Sequence, residues 1–161
     1  MFKKSKITTN TRYIRIAKLS INDVLKHVFT HEVRYSLRSK GHNYHSKEWK
    51  SASKHLYTII INGKIKVISI PTGSHRYQLF VTKGTKCVNC GIEGKYFAIE
   101  RGKGDNPNKF HLNLYGINKH GREVMITKDH IIPRSKGGKN ILSNYQPMCI
   151  HCNQKKADKL I

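Results

Sequence analysis

Asp129 and His130 stand side by side in the stretch TKDHIIPRSKGGKNILSN (Thr127 to Asn144), where an apolar run meets a proline, a Gly-Gly pair and the basic residues Arg134, Lys136 and Lys139. A carboxylate can hold a hard cation. An imidazole, with an ordinary pKa of about 6.5, can take a proton from water near neutral pH. Adjacent strand residues point to opposite faces, so the two can serve one site only if the strand ends with them. The other chemically capable residues are the four cysteines, all of them in C-x-x-C pairs: Cys87 with Cys90 and Cys149 with Cys152, with 58 residues between the pairs. Each pair suits one side of a tetrahedral zinc. Four thiolate ligands leave no open position, so such a zinc fastens the fold and takes no part in chemistry.

The chain surrounding these residues is strongly basic. Its 161 residues carry 31 lysines and arginines against 9 acids, a net +22, which points to a polyanionic partner rather than a merely soluble surface. The excess is spread out: residues 1–80 hold 16 basic and 3 acidic residues. No apolar run of eighteen residues occurs, so no membrane span is expected. The basic start MFKKSKITTNTRY has no apolar stretch behind it, which predicts no secretory signal. A reducing cytoplasm is the expected setting, and disulfides are not expected there. At 37% hydrophobic, the core is thin for the length, and a metal staple would help it.

The elements that must position these residues follow from pattern. Ser20 to Phe29 predicts a helix, with Ser20 and Asp23 at capping-box spacing. HLYTIIINGKIKVISIP predicts a hairpin turning at Asn62-Gly63, with Pro71 ending its second strand. Leu37 to Lys50 reads equally as a basic loop or a short helix. Further strands are expected at Tyr96 to Glu100, over FHLNLYG, over REVMITKDHII and over QPMCI. RGKGDNPNK reads as a loop, and HCNQKKADKLI as a closing helix. Glu100 and Asp105 could bind a metal in principle, but their loop setting argues against it.

The order DHIIPRSKGG, SNYQPMC, CNQKK closely resembles the HNH (ββα-metal, or His-Me finger) endonuclease family in its zinc-knuckled phage form, over roughly Thr82 to Lys159. The resemblance implies that Asp129 binds a catalytic metal, that His130 is the general base, and that Asn144 braces the loop and the backbone of His130. It places Asn153 third, as a second metal ligand, so the chain departs from the family name to HNN. His151 lies inside the knuckle, two residues early. The resemblance further implies DNA cleavage leaving 5′-phosphate and 3′-hydroxyl ends. An oxygen-lined site suits Mg²⁺ or Mn²⁺, and the start of the closing helix would favour a phosphate. Arg134, Lys136, Lys139, Lys155 and Lys156 are candidates for phosphate contacts.

The expected architecture is therefore α+β. Residues 81–161 form a zinc-stapled ββα-metal endonuclease domain, preceded by a basic α+β region, 1–80, that either grips DNA or serves as scaffold. The expected partner is double-stranded DNA in a bacterial host cell, with the gene carried by a phage. Two alternatives stay open: a non-catalytic zinc module that binds nucleic acid, and a nuclease acting on RNA. Neither the oligomeric state nor a recognition sequence follows from the residues.

Overall fold

A computed structural model describes residues 3–5, 8–9 and 12–161. In chain order the elements are β1 (Lys3–Ser5), β2 (Thr8–Thr9), β3 (Tyr13–Leu19), α1 (Ile21–Leu25), α2 (His31–Ser39), α3 (Lys47–Ala52), β4 (Lys54–Ile61) and β5 (Lys64–Pro71). They continue with α4 (His75–Lys83), β6 (Gly94–Gly102), β7 (His111–Ile117), β8 (Glu123–His130), β9 (Tyr145–Cys149) and α5 (Ile150–Lys156). No described helix is long and apolar enough to cross a membrane.

The chain forms two compact units, and neither is a continuous segment. Unit 1 is Met1–Ser74 with Phe97–Asn113; unit 2 is His75–Tyr96 with Leu114–Ile161. The sequence reading placed one boundary at 80/81. By compactness the chain passes between the units three times, and β6 and β7 each begin in one unit and end in the other.

In unit 1, β4 pairs with β1 in parallel and with β5 as an antiparallel hairpin. Ile61 faces Lys64 across the two-residue turn, and Asn62 and Gly63 take φ of 49° and 74°. These left-handed values are what an Asn-Gly hairpin turn demands. β3 pairs antiparallel with the Phe97–Gly102 part of β6, slipping register between Arg15 and Ala17. The expected Ser20–Phe29 helix is shorter: the Ser20 hydroxyl accepts from the Asp23 amide at 3.1 Å, but α1 ends at Leu25. Val28 and Phe29 beyond it are buried as a turn. The ambiguous stretch from Leu37 holds the end of α2, a turn and α3.

Glu100 lies inside β6, within the strand expected at Tyr96 to Glu100 and not in the loop setting also given to it; it is wholly buried and accepts from Arg15 Nε at 2.7 Å and from Asn113 Nδ2 at 2.8 Å. A carboxylate buried in this way must be paired, and these bonds pair it. Removing one partner of a buried ion pair strands the other charge, at a cost of about 3–5 kcal/mol. Glu100→Ala should accordingly lower the denaturant midpoint by most of the protein's stability margin, whereas Glu123→Ala should change it little. Equal midpoints for the two variants would mean that Glu100 does not hold Arg15.

Candidate metal centre and active site

Unit 2 is organised around the antiparallel β8–β9 pair and α5. Across the pair Asp129 faces Gln146 and His130 faces Tyr145. Cys149 ends β9 and is also the N-cap of α5, accepting from the Cys152 amide at 3.5 Å. The result is a ββα arrangement built from the second cysteine pair and the stretch before it.

The four cysteines converge. Their sulfurs all lie within 4.8 Å of one another, and Cys90 Sγ is 3.8 Å from Cys149 Sγ. Zinc–sulfur bonds of about 2.3 Å in a tetrahedron put sulfurs about 3.8 Å apart, so the cluster fits a structural zinc. All four are free thiols. The first knuckle is shaped by backbone bonds, Cys87 N to Ile92 O at 2.9 Å and Gly91 N to Cys87 O at 3.0 Å, and Val88 N donates to Pro147 O on β9. Burial opposes ionisation of Cys87, but amides of Cys149, Cys90 and Asn89 draw its pKa down to about 7. Burial pushes Cys149 up to about 12. Binding a cation as thiolates releases the thiol protons.

Strand alternation holds to the last residue of β8. Asp129 is buried, and its carboxylate receives Gln146 Nε2 at 2.9 Å and Lys156 Nζ at 3.1 Å. Half-buried His130 turns to other partners: its Nε2 lies 2.8 Å from Asn140 Oδ1, and its ring meets Tyr145 edge-on at 4.8 Å. No hydrogen bond or ion pair among the described residues joins the two side chains. What links them is Lys156, whose ammonium also donates to the His130 carbonyl at 2.6 Å. Lys156 was expected among the phosphate contacts. It is instead 3% exposed, with its charge spent on Asp129, while Arg134, Lys136, Lys139 and Lys155 are exposed.

Asn144 closes the loop after β8. Its Oδ1 accepts from Ile132 N at 2.9 Å, its Nδ2 donates to Ile132 O and Lys139 O, and its own carbonyl accepts from Ile131 N. The Gly-Gly pair serves the same loop: Gly137 takes φ 84°, and a side chain at 138 would run into the Ile132 carbonyl. Asn153 is oriented by a relay. Its Nδ2 donates to Thr127 Oγ1 at 3.0 Å, and that hydroxyl donates to Met148 O at 2.8 Å. No described residue takes up Asn153 Oδ1. Asp129, by contrast, has both carboxylate oxygens engaged, Oδ2 by Gln146 and Lys156 and Oδ1 by Lys156 at 3.5 Å. His151 is exposed, and the start of α5 sits at the sulfur cluster, which takes a first-turn amide.

Three supporting residues escaped the sequence reading. Asn140 bonds the His130 ring, Tyr145 packs against it, and Lys83 of α4 donates to Tyr145 O at 2.6 Å. Only Asn140 carried a signal, as a second asparagine four residues before Asn144 in a loop rich in turn formers.

The model of the HNH endonuclease family matches residues 118–160, which contain β8, β9, α5 and the second cysteine pair. No curated protein and no solved structure matches the chain. The C-terminal part of the chain is thus an HNH-like ββα domain carrying a four-cysteine cluster able to hold zinc.

Metal analysis of the purified protein should find about one zinc per chain. Stripping it with a strong chelator should unfold unit 2, because structural zinc contributes folding free energy directly. Cys149→Ser should behave like the stripped protein. A metal-free chain with an unchanged circular dichroism spectrum would sink this assignment.

Proposed function

We propose that the protein is a metal-dependent DNA endonuclease that hydrolyses phosphodiester bonds, with His130 as general base and Asp129 and Asn153 as ligands of one divalent ion. The observation that carries this reading is the bond from His130 Nε2 to Asn140 Oδ1, at the edge of a ββα unit matching the HNH family. A carboxamide oxygen only accepts, so this bond holds the proton on Nε2. Nδ1 then keeps its lone pair and has no partner among the described residues. It is the atom that takes the proton from the attacking water.

Asn144 holds the backbone after His130 in place, and Tyr145 limits the tilt of the imidazole. Lys156 fixes Asp129 against α5, and Thr127 holds the Asn153 amide nitrogen. The bound ion supplies charge relief to the phosphate and to the leaving oxygen. Arg134, Lys136, Lys139 and Lys155 offer exposed cations for the flanking phosphates. The four cysteines hold the scaffold and stay out of the reaction.

With supercoiled plasmid and Mg²⁺ or Mn²⁺, the purified protein should yield nicked or linear product. His130→Ala should lose roughly 10²–10⁴-fold in rate while keeping its zinc. No cleavage with either ion, or cleavage by His130→Ala at the wild-type rate, would refute the assignment.

Asn140→Ala removes the acceptor that both His130 Nε2 and the Tyr145 hydroxyl use. With Nε2 no longer held, the proton is free to sit on either nitrogen, and kcat should fall with KM little changed. Asn140→Asp should retain activity, because a carboxylate also accepts from Nε2. If Asn140→Ala left kcat intact, or raised KM alone, the proton would not be placed by this bond. Ion choice tests Asn153: in Asn153→His, activity should shift toward Ni²⁺ or Zn²⁺, since imidazole suits those ions. Wild-type activity confined to Ni²⁺ or Zn²⁺ would contradict the oxygen-donor site.

A further inference from the structure

Within unit 1, α2 and α3 bury no residue at all. Helices usually owe their stability to an apolar face packed on a core, and these two are held by little else than rings and caps. Thr30 caps α2, accepting from Val33 N, and Ser46 caps α3, accepting from Trp49 N. Arg34 Nη2 donates to Gly73 O at 2.7 Å, with its guanidinium 4.8 Å from the Phe29 ring. Phe29 meets Trp49 edge-on at 5.0 Å, and Arg38 lies over Trp49 at 5.6 Å. These contacts fix one side of α2, where Arg34 and Leu37 are half-buried.

The opposite side carries His31, Glu32, Tyr35, Ser36 and Ser39, all exposed. At 100° per residue these fall on one face. Tyr35 is 70% exposed, and Tyr44 in the following turn is 67% exposed. The face holds hydroxyls, an imidazole and one carboxylate; the Ser39 hydroxyl donates to Ser36 O at 2.8 Å, Glu32 is hydrogen-bonded at Thr30, and Val33 next to the face is 38% exposed. Arg38 and Lys40 are exposed at the C-terminal end of α2 and Lys47 and Lys50 on α3, while the other acid, Glu48, pairs with His42 at 3.2 Å.

We infer that α2 is a reading helix that enters the major groove of duplex DNA with this face, while these cations rest on the phosphates. The inference builds on DNA being the substrate, as proposed above. Contacts to phosphate position a protein, and contacts to base edges specify the sequence. A surface that only gripped would carry lysines throughout, whereas this one has hydrogen-bonding groups on the face and cations at the end of α2 and on α3. Hydroxyls can donate or accept at base edges, and a carboxylate can accept from the amino group of cytosine. Nine residues make a helix about 14 Å long, and about 10–12 Å across with side chains, which a groove about 12 Å wide admits. A membrane surface would want an apolar face here, and there is none. Duplex RNA presents a major groove too narrow for a helix.

The test is selection from a random duplex library with the full chain carrying His130→Ala, which reads binding without needing cleavage. It should enrich a short sequence motif. The same chain with Tyr35→Ala, Ser36→Ala and Ser39→Ala should bind random duplex nearly as well but lose about tenfold or more of its preference for the motif. Alanine suits the helix, and an unchanged melting temperature should accompany the change. Lys47→Ala with Lys50→Ala should instead weaken binding to all duplexes alike, flattening the salt slope by about 0.9 per lost phosphate contact. Enrichment of no motif, the same motif from the triple variant, or tighter binding to duplex RNA would each overturn the inference. A cleavage failure would leave this result standing, because the selection never depends on it.

Discussion

Four sulfur atoms drawn to within 4.8 Å of one another are the constraint on which unit 2 depends. Cys149 is at once the last residue of β9 and the cap of α5, so whatever fixes its sulfur also fixes the angle between strand and helix. That angle decides where the residues further along α5 point. Asn153 comes one turn later and reaches Thr127; Lys156 comes one turn after that and reaches Asp129 and the His130 carbonyl. A small unit with a thin apolar interior gains from a staple at such a corner, since side-chain packing alone would leave the helix free to rock.

The second organising feature is a charge buried on purpose. Asp129 and Lys156 are both nearly inaccessible, at 5% and 3% exposure. Taking such a pair out of water costs more than a matched apolar pair would, and its return is a defined geometry rather than extra stability. Here the geometry is specific: one ammonium spans a side chain and a main-chain carbonyl of successive residues, so the end of β8 cannot slip. Glu100 with Arg15 and Asn113 plays a comparable part in unit 1. A chain with 31 basic and 9 acidic residues has few carboxylates, and two of them lie buried here.

Local signals in the sequence were faithful. Asn62-Gly63 gave the hairpin, Ser20 the cap of α1, and the cysteine spacing the sulfur cluster, because each is decided by residues close in sequence or by a rule of coordination. What stayed hidden depends on partners far along the chain. Lys156 looks like any surface lysine until α5 folds onto β8, and Glu100 looks like the rim of a loop until β3 arrives beside it. The α4 helix went unseen because its buried Tyr77, Gln78, Leu79 and Phe80 form a continuous block rather than a stripe. The roles of Asp129 and His130 came from resemblance to a family, and the residues that steady them became visible only in three dimensions.

The interleaving of the two units bears on how the chain can be made. Arg15 meets Glu100 only after 85 further residues have been added. β3 must therefore wait, unpaired on that side, while the ribosome works through all of the β4–β5 hairpin and the first cysteine knuckle. Unit 2 likewise joins Cys87 and Cys90 to Cys149 and Cys152 across 58 intervening residues. Unit 1 cannot be completed as its first segment emerges, because its Phe97–Asn113 part comes only after the His75–Tyr96 part of unit 2. For the same reason a gene segment carrying unit 2 alone cannot be moved to a new neighbour by a single cut. It would bring along the Phe97–Asn113 segment, which belongs to unit 1.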